Sequence, residues 1–361
     1  MKKIVVIGGG WAASSFIKHL DSDKYNVHVI SPTLRFTYTP LLPKQITCNI
    51  STSIPIQDLN ESLQYHENKV IDVHFDKNQI QTDNREFMSY DYVIFAHGSD
   101  VNTYGVSGVL ENTFCLKNDR DAIELQQKIK SIPPRSNICV IGSGPTGTEI
   151  VGYLSDKGHY LINVVDICAS PLQPFCKSIQ DYTVSQWLKN DNINMFFRHK
   201  VKSIDKSMIH VSDLKTNTNH TIPYDVAIWC GGIAASPLTN MILEKIKYQT
   251  KKGIPVDPML RIPNIENAYA IGDCTDTEYP PTAQVAYQQG QFLAEHFNHD
   301  CCSSNTFELK DKGKIVYIGN KKSVFETNLF HSYGYFTYVF NQCVHVYNGI
   351  NIYQKLMFLF Q

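Results

Sequence analysis

One stretch constrains this chain more than any other. Asn137-Ile138-Cys139-Val140-Ile141 runs directly into Gly142-Ser143-Gly144-Pro145-Thr146-Gly147, and helix-forming residues follow. A short continuous apolar run that ends in glycine reads as a buried parallel strand. In G-x-G-x-x-G between a strand and a helix, the first glycine makes the turn. The second lets the backbone approach a pyrophosphate, and the third lets the helix pack on the strand. About 20 residues further on, the apolar run Ile162-Asn163-Val164-Val165 ends in Asp166. A carboxylate there accepts a hydrogen bond from a ribose 2′-hydroxyl and repels a 2′-phosphate. This is a complete βαβ fingerprint, and it prefers NADH to NADPH.

A second copy opens the chain. Lys3-Ile4-Val5-Val6-Ile7 leads into Gly8-Gly9-Gly10-Trp11-Ala12-Ala13 and a helical stretch to about Leu20. The third position needs only a small residue, so Ala13 satisfies it. The next strand, Val27-His28-Val29-Ile30, ends in Ser31 where a ribose-binding carboxylate is usual. Ser31 keeps one hydroxyl for that task. Residues 65–90 alternate polar and apolar, which predicts a small antiparallel sheet. Tyr90 to Ala96 reads as a core strand ending in His97-Gly98. Val226 to Cys230 is another, ending in Gly231-Gly232. Pro133-Pro134 marks a domain boundary.

A third segment is as informative. The apolar run Ala268-Tyr269-Ala270-Ile271 turns at Gly272-Asp273, and Pro280-Pro281-Thr282 then precedes a helix beginning Ala283-Gln284-Val285. Thr282 is a good N-cap. Ala283, Ala286 and Gly290 put small side chains on one side, open to a flat ligand or another backbone. Gln284 and Gln288 lie four apart and share a face.

With 361 residues, 43% hydrophobic and 19% charged, the chain has material for two or three cored domains. A net charge of −1 excludes a general nucleic-acid binder. The ten cysteines are scattered, as in a reduced intracellular protein, and without a C-x-x-C pair no metal site is expected. The first strand begins at Lys2, so no targeting peptide is expected, and no apolar run approaches the ~18 residues of a membrane span. From Thr327 onward Lys355 is the single charged residue among many tyrosines and phenylalanines. That composition suits a core-forming or dimer-forming helical pair, or a segment lying on a membrane surface.

The segment Gly272-Asp273 to Gly290, with Pro40-Leu41-Leu42-Pro43 and the two fingerprints, resembles the type II NADH:quinone oxidoreductases. These are single-subunit flavoproteins of the pyridine nucleotide-disulfide oxidoreductase superfamily without the redox disulfide. The resemblance covers nearly the whole chain. It implies an α/β fold of two Rossmann-like domains, the NADH domain inserted in the FAD domain, plus a small C-terminal module. The boundaries expected are 1–118 and 253–300 for FAD, 119–252 for NADH and 301–361 for the module. It further implies that FAD rests on Gly8, Gly10, Trp11, Ala12, Ala13, Ser31, Pro40, Gly98, Gly272, Asp273, Ala283, Gln284 and Val285. NADH rests on Gly142, Gly144, Gly147, Glu149, Asp166 and Gly231, with Glu149 facing the nicotinamide. NADH would pass a hydride to FAD, and a membrane quinone held by Gln284 and Gln288 would take two electrons. The implied setting is intracellular, peripheral on the mitochondrial inner membrane or its equivalent through 327–361, as a homodimer.

Two rival readings stand beside this one. A sulfide:quinone oxidoreductase or cysteine-based NADH oxidase or peroxidase would need a reactive thiol such as Cys48 or Cys168. A non-catalytic signalling flavoprotein would bind FAD and NADH without turnover. His97, where threonine is usual in the resembling motif, and Ser31 are the departures that leave that second reading open.

Overall fold

The structure is a computed structural model, and it describes residues 1–250, 252–301 and 305–348. These form two compact units. The first comprises Met1–Thr37, Ser53–Asp100 and Ile233–Asp311; the second comprises Tyr38–Thr52, Val101–Gly232 and the chain from Lys312 on.

The first unit is built on a five-stranded parallel sheet. Its order is Ala268–Ala270, Tyr92–Phe95, Lys2–Ile7, Tyr25–Ser31, Gln64–Glu67. Its inner strands are largely apolar on both faces because both are covered, while the edge strand Gln64–Glu67 is polar. One face packs Ile4, Val6, Val27 and Val29 against Phe16, Ile17, Leu293 and Phe297 of the helices Trp11–His19 and Ala283–Asn298. The other packs Val5, Ile7, Ile30 and Phe95 against Val73, Ile80 and Ile242. The alternating region resolves into two parts. Gln64–Glu67 joins the parallel sheet as its edge, and 70–89 forms the three-stranded antiparallel sheet.

The second unit has a four-stranded parallel sheet ordered Ile193–Phe197, Leu161–Asp166, Asn137–Ile141, Val226–Trp229. The helix Pro145–Ser155 follows its glycine loop. The helix Asp119–Ser131 begins in a capping box between Asn118 and Asp121. The tail adds an antiparallel sheet, Lys314–Gly319, Lys322–Glu326 and His331–Gly334, and the helix Tyr335–Asn348. The expected tail segment continues past Asn348, outside the described residues.

The division between units differs from the expected boundaries. Residues 101–118 go with the second unit because Phe114 and Leu116 pack into its core, beside Leu42 and Ile46 from Tyr38–Thr52. The residues from Lys312 on join it because Val316, Ile318 and Val324 cover Leu172, Phe175 and Ile179.

The closest helix approach in the first unit is made by Gly290. A Cβ there would strike the Ala12 carbonyl oxygen and lie 2.8 Å from Ser15 Cβ and 2.9 Å from Phe16 N. Gly290→Ala is therefore expected to destabilise the protein by about 1–3 kcal/mol, the range for forcing a methyl into a packed site. Thermal unfolding checks this, and an unchanged midpoint would show that the helices part freely.

Candidate functional site

Both glycine loops adopt the conformation their sequences demand. Gly8 has φ +122°, and a Cβ would run into the Ala96 carbonyl. Gly142 has φ +97°, with Cys230 O 2.6 Å from its Cβ position. Side chains at these positions would meet both strain and collision. Gly147 leaves no room either, its Cβ position falling on the Gly142 carbonyl. Beside Gly10 and Gly144, by contrast, nothing lies within 4 Å of the Cβ position. These two residues are the N-caps of Trp11–His19 and Pro145–Ser155, and neither helix start receives a side-chain cap. Each unit thus offers open space against uncapped helix N–H groups, which is what a pyrophosphate requires.

Around the first loop the sequence-expected residues gather on one end of the sheet. Ala12 and Ala13 are buried, and Trp11 stands edge-on to Phe36 at 5.1 Å between ring centroids. Ser31 Oγ lies 3.2 Å from the Gly9 Cβ position. Gly98 turns the chain at φ +72°. Gly272, at φ +78°, sits with its Cβ position 3.0 Å from Ala12 Cβ and 3.6 Å from Ala286 Cβ. The glycine-loop helix, the turn carrying Asp273 and the helix Ala283–Asn298 therefore meet at one glycine. Thr282 caps the latter helix by accepting from Val285 N at 3.3 Å, leaving Ala283 and Gln284 in the first turn. Pro40 lies in the short turn Thr39–Leu41, in the second unit.

The two glutamines are engaged. Gln288 accepts from Lys310 N at 3.0 Å and donates to Lys310 O at 3.1 Å, while Gln284 donates to Asp311 Oδ1 at 3.4 Å. Their neighbour Gln289, not singled out from sequence, is fully buried and accepts from Gly272 N at 2.6 Å. Its place on the stripe of Ala286, Gly290 and Leu293 is the signal that could have found it.

In the second unit Asp166 closes the fingerprint. It accepts from Ser143 N and Ser143 Oγ, both at 2.6 Å, and from Cys168 N at 2.8 Å. The carboxylate is thus fixed beside the glycine loop, and its negative charge is directed by three donors. Gly231 has no room for a side chain because Trp229 Cε2 lies 2.6 Å from its Cβ position. Glu149 is half-buried on Pro145–Ser155, where burial pushes its carboxyl up to about 8, against a weak opposing hydrogen bond from Tyr317 N at 3.4 Å. It is a proton-bearing acid at neutral pH, not a simple counter-charge to the helix dipole.

Neither thiol candidate, Cys48 or Cys168, is in a disulfide. Burial, then the charge of Asp166, pushes Cys168 up to about 11. At neutral pH its thiolate fraction is on the order of one in ten thousand. Cys48 is partly exposed, and none of the nine described cysteines is in a disulfide. Cys301 and Cys302 adjoin in the sequence, and only Cys301 lies among the described residues. His97 donates to or accepts from Thr239 Oγ1 at 2.9 Å, and burial lowers it to about 4. Burial thus favours its neutral form.

Comparison with known proteins agrees with this geometry. Residues 2–290 match the pyridine nucleotide-disulphide oxidoreductase family. The chain belongs to that family. Among curated members, a probable mitochondrial NADH-ubiquinone oxidoreductase of Schizosaccharomyces pombe is 29% identical over 89% of this chain and 66% of its own length. The external alternative NADH-ubiquinone oxidoreductase of Yarrowia lipolytica is 28% identical, over 82% of this chain and 59% of its own. The chain thus spans less than two thirds of these relatives. NDH2 from Plasmodium falciparum, solved with NADH, superposes with a TM-score of 0.92 at 22% identity, covering 99% of this chain and 97% of that one. The sulfide:quinone oxidoreductase of Aquifex aeolicus superposes with 0.77 at 17%, over 96% and 90%. Both show a shared fold of two dinucleotide-binding domains.

A raised acid pKa has a signed consequence. Glu149 keeps its proton in the folded protein up to about 8 but loses it near 4.5 when unfolded. The folded state binds the extra proton, so stability falls as pH rises through that window. Glu149→Gln is expected to flatten the apoprotein's thermal midpoint between those two pH values. Identical pH profiles for both proteins would contradict the burial of this carboxyl.

Proposed function

We propose that the protein is a type II NADH:quinone oxidoreductase: an FAD-dependent, non-proton-pumping enzyme that oxidises NADH and reduces a membrane quinone. The observation that carries this reading is the convergence at Gly272, where the glycine-loop helix, the Asp273 turn and the helix Ala283–Asn298 meet. FAD, when bound, supplies the two-electron carrier between the two substrates. The open space at Gly10 and the uncapped N–H groups fit its pyrophosphate. Gly98, Asp273, Ala283 and Val285 complete its site. Gly142, Gly144, Gly147 and Gly231 admit NADH, Asp166 holds its ribose, and Glu149 supplies a neutral acid beside the nicotinamide. The amides of Gln284 and Gln288, braced on Lys310 and Asp311, present the quinone-facing side of their helix. The unreactive Cys168 and the names of the curated relatives favour this reading over the thiol-based alternatives.

The experiment is an anaerobic spectrum of the purified yellow protein. NADH is expected to bleach the flavin band and a short-chain ubiquinone to restore it, with thiol blocking leaving the bleaching intact. NADPH is expected to bleach it more slowly, and Asp166→Arg to narrow that gap. A protein that cannot take up FAD, or one re-oxidised by disulfide or peroxide but not by quinone, would overturn the assignment.

We further infer peripheral membrane attachment at the mitochondrial inner membrane or its equivalent. Among the described residues no helix is long and apolar enough to cross a membrane. The helix Tyr335–Asn348 is instead inverted. Its polar stripe, Thr337, Asn341 and His345, is buried, bonding to Ser332, Ser323 and Tyr38 respectively. Its outward residues include Phe336, 87% exposed, and nearby Leu329 is 94% exposed. A polar face turned inside and aromatics outside suit the headgroup region. Replacing Leu329 and Phe336 with Glu is expected to release the protein from anionic lipid vesicles in a sedimentation assay. Loss of a homodimer, without loss of sedimentation, would instead assign this face to a second copy of the chain.

A further inference from the structure

The end of the strand Tyr25–Ser31 lacks the carboxylate that an adenosine ribose calls for, and Ser31 stands there instead. The sheet register shows where a carboxylate is nearest. Gln64–Glu67 pairs in parallel with Tyr25–Ser31, and its last pair is Ser31↔Glu67. Paired residues on neighbouring strands present their side chains to the same face, about 4.8 Å apart. That face is identified by the alternation along both strands. Val29 lies in the core with Ala12 and Ala13, and Tyr65 packs against that same core. Ile30 lies in the opposite one. Ser31 and Glu67, two residues beyond Val29 and Tyr65, therefore share the face of the glycine-loop helix. Ser31 Oγ, 3.2 Å from the Gly9 Cβ position, confirms it for the first of the pair. Glu67 is exposed, and its side chain makes no hydrogen bond or ion pair among the described residues. Both residues stand at the carboxyl ends of parallel strands, where ligands of such sheets bind.

We propose that Glu67 supplies the missing carboxylate: it accepts hydrogen bonds from the adenosine ribose hydroxyls of FAD, one strand outward from the usual position. Ser31 then provides room and a second, weaker partner. The inference rests on the flavin reading above. It makes Glu67 a determinant of cofactor affinity, remote from the reacting end of the flavin.

The test is a titration of the apoprotein, followed by flavin fluorescence, with FAD and with FAD whose adenosine lacks both ribose hydroxyls. A hydrogen bond to a charged group carries about tenfold to hundredfold in affinity. Glu67→Gln is expected to weaken FAD by that factor and leave the dideoxy analogue unchanged. Ser31→Asp, added to Glu67→Gln, is expected to restore at least tenfold by returning the carboxylate to the strand end. FAD binding by Glu67→Gln within threefold of the natural protein would overturn the proposal, as would equal weakening of both ligands. A natural chain that binds no FAD at all would overturn the flavin reading itself, and this inference with it.

Discussion

The first unit depends on how closely two helices approach one another. Gly290 lets Ala283–Asn298 settle onto the Ala12 carbonyl of Trp11–His19. That contact sets the start of Trp11–His19 beside the second turn of Ala283–Asn298. Gly272 is then clasped between Ala12 and Ala286, with its N–H tied to the buried Gln289. The glycine loop, the Gly272 turn and the helix Ala283–Asn298 are thus one packed object rather than separate loops held by chance. Such sites hold their geometry because rigid elements carry them.

Much of this was legible because the demands on those positions are steric. A positive φ at Gly8, Gly142 and Gly272 strains any side chain placed there, so the glycines declare their roles in one dimension. The N-cap Thr282 and the strand-ending Asp166 are similarly local. What was not legible depends on pairing between distant segments. Tyr38–Thr52 follows closely on the first fingerprint in the chain, yet it sends Leu42 and Ile46 into the core of the second unit. Gln289 looks like one more polar helix residue until the rotation of the helix buries it. Gln288 looks free until Lys310 arrives to occupy its amide.

Electrostatics follows from the same burial. Glu149 and Cys168 each sit near a glycine loop or its fingerprint carboxylate, and burial makes both reluctant to ionise. For the cysteine this removes nucleophilic chemistry. For the glutamic acid it creates a group that can hold a proton at neutral pH, where an exposed carboxylate would not. One physical cause therefore argues against a thiol mechanism at Cys168 and leaves Glu149 able to hold a proton.

The position of Glu67 shows how a missing residue can mislead. A motif read along the chain treats Ser31 as a defect, because its templates are linear. The sheet is not linear: a neighbour across a parallel ladder lies about 4.8 Å away, nearer than the ~6.6 Å between same-face residues of one strand. A carboxylate can therefore change strands with little change of place, provided the register keeps it on the same face. Ser31 and Glu67 meet that condition because Val29 and Tyr65 fix the phase of both strands against one core. Recognition of the ribose is then a property of the sheet end as a surface, and the strand that donates the charge is secondary.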